Sequence, residues 1–319
     1  MADGKWVAGL TPEMPVAEAA RLVLTSRFEG VRRWLPAATE KPYHDTETVH
    51  QLRVSTRRAA AALRVFADCV PRKELKATRR YLRLIRRAAG NARDWDVFRL
   101  GLATEKALAT AAGKPTRDFL MGYAFGERSA AQAALDEMGP TAGLSFLRVA
   151  DELPGLVSEP RGDNPPENLG VLAAQQFGEL LETFDAAVQA NPTDPTALHS
   201  LRIVGKRTRY ALEIFADCFP PAFKQTVYPS VERVQEVLGT IQDANVSRDR
   251  LTMLRDRVKL AAPKEWPRLQ KGFEGLLTAT RARLPTGRKA FQAWRKGWVK
   301  LIASVEVEIV EAVGTETAA

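Results

Sequence analysis

The sequence contains one long motif twice, at a constant offset of 149 residues. The offset aligns three pairs of segments, namely His50–Arg58 with His199–Arg207, Phe66–Cys69 with Phe215–Cys218, and Gly90–Asp94 with Gly239–Asp243. Self-similarity over such a distance is a property of the whole fold, because each copy specifies the same local structure. The repeat therefore predicts two structurally equivalent halves.

The periodicity of the apolar residues is helical almost throughout, and no segment alternates as a strand does, so we predict an all-α fold. Prolines, glycines and capping residues divide the pattern into helices. The predicted helices cover about 15–35, 46–69, 72–90, 94–112, 116–138, 167–190, 195–218, 221–238, 243–260, 264–283 and 286–312. Asp45 or Thr46 is the predicted cap of the second helix, and Asn91 or Asp94 that of the fourth.

The stretch 158–166 contains three prolines and one glycine, which interrupt helices. We therefore predict an N-terminal helical bundle over 10–157, a linker over 158–166 and a C-terminal bundle over 167–312. Short connections between successive helices are typical of antiparallel bundles. The repeat makes the two bundles pseudo-symmetric.

Positive charge is concentrated in the first copy of the repeat. Between Arg53 and Arg93 there are thirteen Lys and Arg but only two acids, whereas the net charge of the whole chain is +9. Such an excess predicts a polyanionic partner. Charged residues interrupt every apolar run before it reaches bilayer-spanning length, and the first twenty residues lack the apolar region of a signal peptide. We therefore expect a cytoplasmic protein that does not enter membranes.

The cationic residues of each repeated helix share one face. On a helical wheel at about 100° per residue, the first helix places His50, Arg53, Arg57 and Arg64 within about 60°, opposite an apolar stripe. The next helix groups Arg72, Lys76, Arg79, Arg83, Arg86 and Arg87 in the same manner, and the second copy groups His199, Arg202, Lys206 and Arg209. Cations spaced along an axis suit a linear polyanion, and arginine pairs with phosphate oxygens bidentately. A merely solvated face is the alternative.

Two other groups of residues have open interpretations. His50 and His199 either contact an anion or make structural hydrogen bonds, and neither has a second histidine nearby that would indicate a metal site. Asp94 and Asp96 could bind Mg²⁺ or act as acid and base, but Asn245 replaces one acid in the second copy. Helix capping, or orientation of a neighbouring arginine, is the favoured role. No nucleophile motif or phosphate loop is present, so we expect no enzyme, cofactor or metal.

Cys69 and Cys218 occupy equivalent positions of the repeat, late in apolar segments. We predict buried free thiols, because the cytosol keeps cysteines reduced; a disulfide between the copies is the alternative. A C-terminal segment combines tryptophans with cations, at Arg288, Lys289, Trp294, Arg295, Lys296 and Trp298. Amphipathic packing is the favoured interpretation there, and an additional anion contact is the alternative.

The HxLRxxxRR spacing from His50 to Arg58, the Phe66–Cys69 segment and the step from Gly90 to Val97 resemble the CHAD family, the conserved histidine α-helical domain. The second copy is similar, and the resemblance covers nearly the whole chain. It implies two pseudo-symmetric helical bundles around a basic central channel that binds inorganic polyphosphate. It also implies association with polyphosphate granules.

By motif, the resemblance assigns polyphosphate contacts to His50, Arg53, Arg57, Arg58, Arg64, Arg79, Arg83, Arg86 and Arg87, and in the second copy to His199, Arg202, Lys206, Arg207 and Arg209. This chain departs from the family at Ala60, where many relatives carry a further arginine. In the second copy, Tyr228, Glu232, Gln235 and Glu236 replace Arg79, Arg83, Arg86 and Arg87. We therefore expect most of the binding energy to come from the first copy.

The leading hypothesis is non-catalytic binding of inorganic polyphosphate at polyphosphate granules. A nucleic-acid-binding protein is the first alternative, disfavoured because the cationic faces contain almost no aromatic residues on which bases could stack. A metal-dependent phosphohydrolase using Asp94, Asp96 and Asp243 is the second, disfavoured because no nucleophile is evident. The sequence predicts no oligomeric state.

Overall fold

The structure is a computed structural model that describes residues 4–40 and 46–316, with side chains over 4–39 and 46–304. These residues are mostly helical and contain no strand, which confirms the predicted all-α fold. The α-helices are α1 Val16–Glu40, α2 Thr46–Val65, α3 Arg72–Thr104, α4 Lys114–Met138, α5 Leu144–Glu152, α6 Leu169–Gln189, α7 Pro195–Phe215, α8 Tyr228–Ala261 and α9 Trp266–Glu316. No helix in the described ranges is long and apolar enough to cross a membrane.

The chain divides into two compact units, Met1–Leu172 with Leu251–Thr278, and Ala173–Arg250 with Ala279–Ala319. Residues 158–166 contain no helix, as their prolines indicate. The units differ from the predicted bundles 10–157 and 167–312, because the end of α8 and the start of α9 join the first unit. There Leu254 and Phe273 share a buried apolar core with Phe98 of α3 and Leu120 of α4.

Helices α1 to α4 of the first unit pack in chain order, α1 on α2, α2 on α3 and α3 on α4. The apolar stripe predicted for α2 is buried, with Leu52, Ala59 and Leu63 fully shielded from solvent. α2 packs between α1 and α3, and Arg53 on its cationic side bonds to Asp94 of α3. This packing positions the candidate site.

Four predicted helix ends are wrong. α1 continues through Pro36, α3 through Gly90, α8 through Gly239 and α9 through Pro285. Asn91 and Asp94 therefore lie inside a helix and cap none, while Asp45 lies outside the described residues. Glycine costs only about 1 kcal/mol in a helix interior, so packing against neighbouring side chains outweighs it. α5 was not predicted, because Pro140 and two glycines precede it in a short π-helical turn.

The core of the second unit is aromatic. The rings of Phe184 and Trp298 meet edge to face at 5.1 Å, and Trp294 stacks on Trp298 at 5.5 Å. Both indole N–H groups are bonded, to Ser230 O at 2.9 Å and to Asp185 Oδ1 at 2.9 Å. The packing role favoured for the two C-terminal tryptophans is confirmed.

Both cysteines are free thiols, which removes the disulfide alternative. Cys69 is buried as predicted, whereas Cys218 is only half-buried. Burial raises the pKa of the Cys69 thiol to about 11, so this cysteine stays protonated and is a poor nucleophile.

Candidate functional site

α2 contributes three of the predicted site residues to one edge, each about one turn from the next. His50, Arg53 and Arg57 are all half-buried, and Arg53 bonds directly to α3. The opposite side of α2 carries the apolar stripe, which fixes the rotation of the helix in the bundle. Arg64 extends the same edge at the last turn of α2, where it is exposed.

Arg53 lies across the backbone of α3 at Gly90. Its Cζ atom is 3.9 Å from the position that a Cβ at residue 90 would occupy, so the guanidinium passes over the glycine at van der Waals distance from that position. One turn later, Asp94 Oδ1 accepts a hydrogen bond from Arg53 Nη1 at 2.7 Å. The prediction that Asp94 orients a neighbouring arginine is confirmed. A glycine mistaken for a helix end is thus a packing site for an arginine.

The unbroken α3 adds a cation that the sequence-based site did not include. Arg79, Arg86 and Arg93 follow one another at seven-residue intervals, which drift by only about 20° per step around a helix. All three are half-buried. Arg93 was missed because the predicted break at Gly90 placed it in a loop. The seven-residue spacing was the available signal.

The pKa of His50 reflects the positive charge along this edge. Its pKa is lowered by burial and by the positive charges of Arg93, Arg57 and Arg53, while Glu47 acts in the opposite direction. The imidazole is therefore surrounded by arginines from two helices. Charged groups from α2 and α3 converge here within the first unit. We call the edge formed by His50, Arg53, Arg57, Arg79, Arg83, Arg86, Arg87 and Arg93 the α2–α3 face.

The other α3 cations have two kinds of environment, since one bonds to the backbone of α2 and others are exposed to solvent. Arg79 Nη2 donates a hydrogen bond to the Leu63 carbonyl in the last turn of α2 at 3.1 Å, a favourable place for a cation beside a helix C-terminus. Arg83 and Arg87 are exposed, and neither forms an ion pair within the described ranges. Arg58, assigned to the site by the resemblance, is only 8% exposed and lies on the buried side of α2.

The second copy repeats the arginine–glycine arrangement inside the second unit. Arg202 Nη2 is 3.6 Å from the position of a Cβ at Gly239. Lys206 is half-buried like its counterpart Arg57, while His199 and Arg207 are exposed. The packing of the first arginine of each motif against a helical glycine therefore occurs in both copies.

Arg209 has a different environment from the arginines of the first copy. Its guanidinium lies 3.8 Å from Glu213 Oε1 and 3.9 Å from Glu232 Oε1. The Tyr228 hydroxyl is 3.0 Å from the same Glu213 oxygen, and burial raises the pKa of Tyr228, so it stays a hydrogen-bond donor. Glu213 is almost fully buried. Two carboxylates thus neutralise Arg209, a predicted ligand.

Two of the three acids of the phosphohydrolase alternative, Asp94 and Asp96, are bound to arginines. Asp96 is buried and pairs with the buried Arg128 at 2.8 Å, while Asp94 pairs with Arg53. Arg128 Nη1 also donates to Gln132 Oε1, so the Asp96 carboxylate belongs to a hydrogen-bonded core network. Among the described residues, no cluster of three or more His, Cys, Asp or Glu could hold a metal ion.

A sequence model of the CHAD domain matches residues 22–252 of this chain, well over half its length. Two solved structures share the fold. The crystal structure of the CHAD domain from the plant Ricinus communis has a TM-score of 0.67 at 25% identity, covering 91% of this chain and 94% of that one. PptA from Streptomyces chartreusis has a TM-score of 0.68 at 18% identity, covering 88% and 99% respectively.

A comparison with curated proteins finds no match. The assignment therefore depends on the match to the domain model and on the shared all-α fold, which agree over the segment that contains both copies of the motif. The chain belongs to the CHAD domain family.

Proposed function

We propose that this chain is a non-catalytic protein that binds inorganic polyphosphate through the α2–α3 face of its first unit. Membership of the CHAD family supports a polyphosphate-associated function. The observation that carries the proposal is the convergence of Arg53, Arg57 and Arg93 around His50. Like charges are gathered there at an electrostatic cost that a bound polyanion would offset.

The form of the face suits a long, thin, flexible phosphate chain. Arg79 and Arg93 are 14 residues apart in an unbroken helix, which is about 21 Å at about 1.5 Å per residue. Arg79, Arg86 and Arg93 are half-buried, so a narrow chain reaches them more easily than a wide duplex does. Arginine retains its charge at every physiological pH and pairs bidentately with phosphate oxygens.

The second copy contributes less in this proposal. We assign its contacts to His199, Arg202, Lys206 and Arg207, whereas the carboxylates of Glu213 and Glu232 offset the charge of Arg209. Arg58 is too shielded from solvent to serve as a primary contact. The expected order of importance is therefore the α2–α3 face first, and the second copy afterwards.

Recruitment to polyphosphate granules in the cytoplasm follows from polyphosphate binding. A fluorescent fusion of the full chain should coincide with granules stained for polyphosphate, and a variant that cannot bind the polymer should be diffuse. A binding-deficient variant that still decorates granules would contradict recruitment through the α2–α3 face.

The decisive experiment compares ligands at matched phosphate concentration. Long-chain polyphosphate, duplex DNA and single-stranded RNA are titrated into the wild-type chain and into Arg53→Glu/Arg57→Glu. We expect a polyphosphate preference in the wild type, a loss of at least about a hundredfold in the variant, and a steep fall of affinity with salt. The charge-matched control is Lys264→Glu/Lys271→Glu, at two exposed positions of the first unit that belong to neither α2 nor α3.

Circular dichroism establishes that both variants keep their helical content. Equal losses in the variant and the control would show that net charge alone governs binding. Tighter binding of either nucleic acid than of polyphosphate by the α2–α3 face would favour the first alternative. Phosphate release that requires Mg²⁺ and stops on adding EDTA would favour the phosphohydrolase.

A further inference from the structure

A second basic segment, this one without acids, lies in α9, outside the residues matched by the family model. Between Glu274 and Glu306 there are seven Lys and Arg and no Asp or Glu. The match to the CHAD model ends at residue 252, so these cations belong to no part of the repeated motif. From Arg281 onward they lie in the second unit.

One side of this segment is held firmly in the second unit. Phe291, Trp294 and Trp298 are buried, and Gly287 allows α8 to approach so closely that a Cβ there would lie 2.6 Å from Ile241. Arg295 Nε donates to the carbonyl of Val188 at 2.9 Å, near the C-terminus of α6. These contacts fix the rotation of α9 and leave the opposite side facing outward.

The outward side carries a row of exposed cations. Arg281, Arg288, Lys289, Lys296 and Lys300 are all exposed and fall within about 120° of one another on a helical wheel. The row is about 29 Å long, at about 1.5 Å per residue. None of the five forms an ion pair within the part of the chain that the structure describes. We call these five residues the α9 row.

The side chains around the row exclude two kinds of binding partner, a lipid interface and a single-stranded nucleic acid. Binding in a lipid interface requires large apolar side chains beside the cations, but only Val299 is an exposed large apolar residue between Arg281 and Lys300. Binding of single-stranded nucleic acid requires exposed aromatic rings for base stacking, and Phe291, Trp294 and Trp298 are buried. What remains is contact with phosphates alone.

The exposure of the row distinguishes it from the α2–α3 face. A duplex is wide and stiff, so it can touch only cations that project from the surface, and all five members of the row do so. Contacts to the phosphates of a duplex provide affinity and orientation without reading sequence. The middle of the row consists of Arg288, Lys289 and Lys296.

We propose that the α9 row binds the phosphate backbone of double-stranded DNA without sequence preference. The surface is separate from the one proposed for polyphosphate, so the chain has one face for each polyanion. Cations released from DNA drive such binding, and each phosphate contact adds about 0.9 to the slope of log affinity against log salt concentration.

The test uses the full chain and a fluorescent duplex of mixed sequence, longer than the row, with anisotropy read between about 50 and 200 mM salt. The variant Lys289→Gln/Lys296→Gln/Lys300→Gln should bind the duplex at least about tenfold more weakly, and its salt slope should fall by about 2 to 3. Its affinity for long-chain polyphosphate should change by less than about threefold. The control Arg148→Gln/Lys264→Gln/Lys271→Gln removes the same charge from exposed positions in the first unit.

Four results would overturn the proposal. They are no duplex binding by the wild type, equal losses in variant and control, an unchanged salt slope in the variant, or a polyphosphate loss as large as the duplex loss. Arg53→Glu/Arg57→Glu separates this proposal from the one above. That variant should keep its duplex affinity, and if it loses duplex and polyphosphate together, the duplex binds the α2–α3 face instead. Polyphosphate binding that survives in that variant, with duplex binding lost only in the α9 variant, would refute the proposed function alone.

Discussion

The first copy of the repeat places three arginines where α2 meets α3, and the second copy places two glutamates and a tyrosine at the equivalent positions of α7 and α8. The equivalent pairs are Arg64 and Glu213, Arg79 and Tyr228, and Arg83 and Glu232. In the fourth pair the charge is in the second copy, because the first copy has the neutral Ala60 and the second has Arg209. The first group is purely cationic, whereas the second is a closed network in which Arg209 faces two carboxylates.

Local geometry and charge are therefore separable in this repeat. Both copies place an arginine over a helical glycine, Arg53 at Gly90 and Arg202 at Gly239. That arrangement depends on the shape of the helical backbone, since a Cβ at either glycine would lie 3.6 Å or more from the arginine. The charge around it depends on residues one or two turns away, which can change without disturbing the helices. The proposed polyphosphate binding therefore depends on the charges of the first copy rather than on the geometry that both copies share.

The largest effect we expect concerns Asp96, whose counterpart is Asn245. Asp96→Asn makes the first copy resemble the second but leaves the buried Arg128 without its charged partner. The free energy of unfolding should fall by about 3 to 5 kcal/mol, measured by urea denaturation. Asp94→Asn, at the partly exposed pair with Arg53, should cost no more than about 1 kcal/mol. Equal costs at the two positions would contradict the structural role of Asp96.

Exchange of charge between the copies should move polyphosphate affinity next. Arg79→Tyr/Arg83→Glu gives the first copy the residues of the second, and affinity should fall about thirtyfold, equivalent to about 2 kcal/mol. The reverse exchange, Tyr228→Arg/Glu232→Arg, should raise affinity by a few fold. The measurement is a titration with long-chain polyphosphate at fixed salt. A first exchange without effect would remove α3 from the binding surface.

Alanine substitutions at Gly205 in the second copy and at Gly90 in the first should have different effects on the stability of the chain. A Cβ at Gly205 would lie 2.2 Å from Gln235 Nε2 and 2.9 Å from Phe184 Cε2, so Gly205→Ala should destabilise the chain by about 1 to 2 kcal/mol. At Gly90 the nearest atom, Arg53 Cζ, is 3.9 Å away, so Gly90→Ala should be neutral or stabilising by about 0.5 to 1 kcal/mol. Thermal unfolding of the two variants decides between these outcomes, and a destabilised Gly90→Ala would contradict the loose packing there.

The smallest effect is a pH dependence that arises from His50. Burial and the charges of Arg93, Arg57 and Arg53 lower its pKa in the free chain, with Glu47 acting in the opposite direction. A bound polyanion neutralises those arginines and raises the pKa, so binding takes up a proton. Affinity should therefore rise by about two- to tenfold as pH falls from about 7 to about 5. His50→Gln should remove this rise, whereas His199→Gln, at an exposed position, should retain it.

The sequence predicts the fold class and the cationic face of α2 well, because both depend on local periodicity. Leu52, Ala59 and Leu63 were expected to be buried, and they are. It fails at Gly90 and Gly239, since a glycine that ends a helix and one that accepts an arginine look identical without a tertiary partner. Arg93 was lost for the same reason.

Long-range partners were the other limit of prediction. The i, i+4 spacing of Arg209 and Glu213 predicts that the two side chains lie close together. No feature of the local sequence indicates that Glu232 approaches the same guanidinium. Likewise, Arg128 lies 32 residues from Asp96, and only the packing of α4 on α3 brings them together. The roles of acids in this chain could be assigned only from the folded structure.

The unequal contribution of the two copies is tested most directly by one matched titration with long-chain polyphosphate. Arg53→Glu/Arg57→Glu and Arg202→Glu/Lys206→Glu reverse the same two charges in each copy of the motif. We expect a loss of at least about a hundredfold for the first variant and of less than about tenfold for the second. Equal losses, or a larger loss for the second variant, would contradict the account.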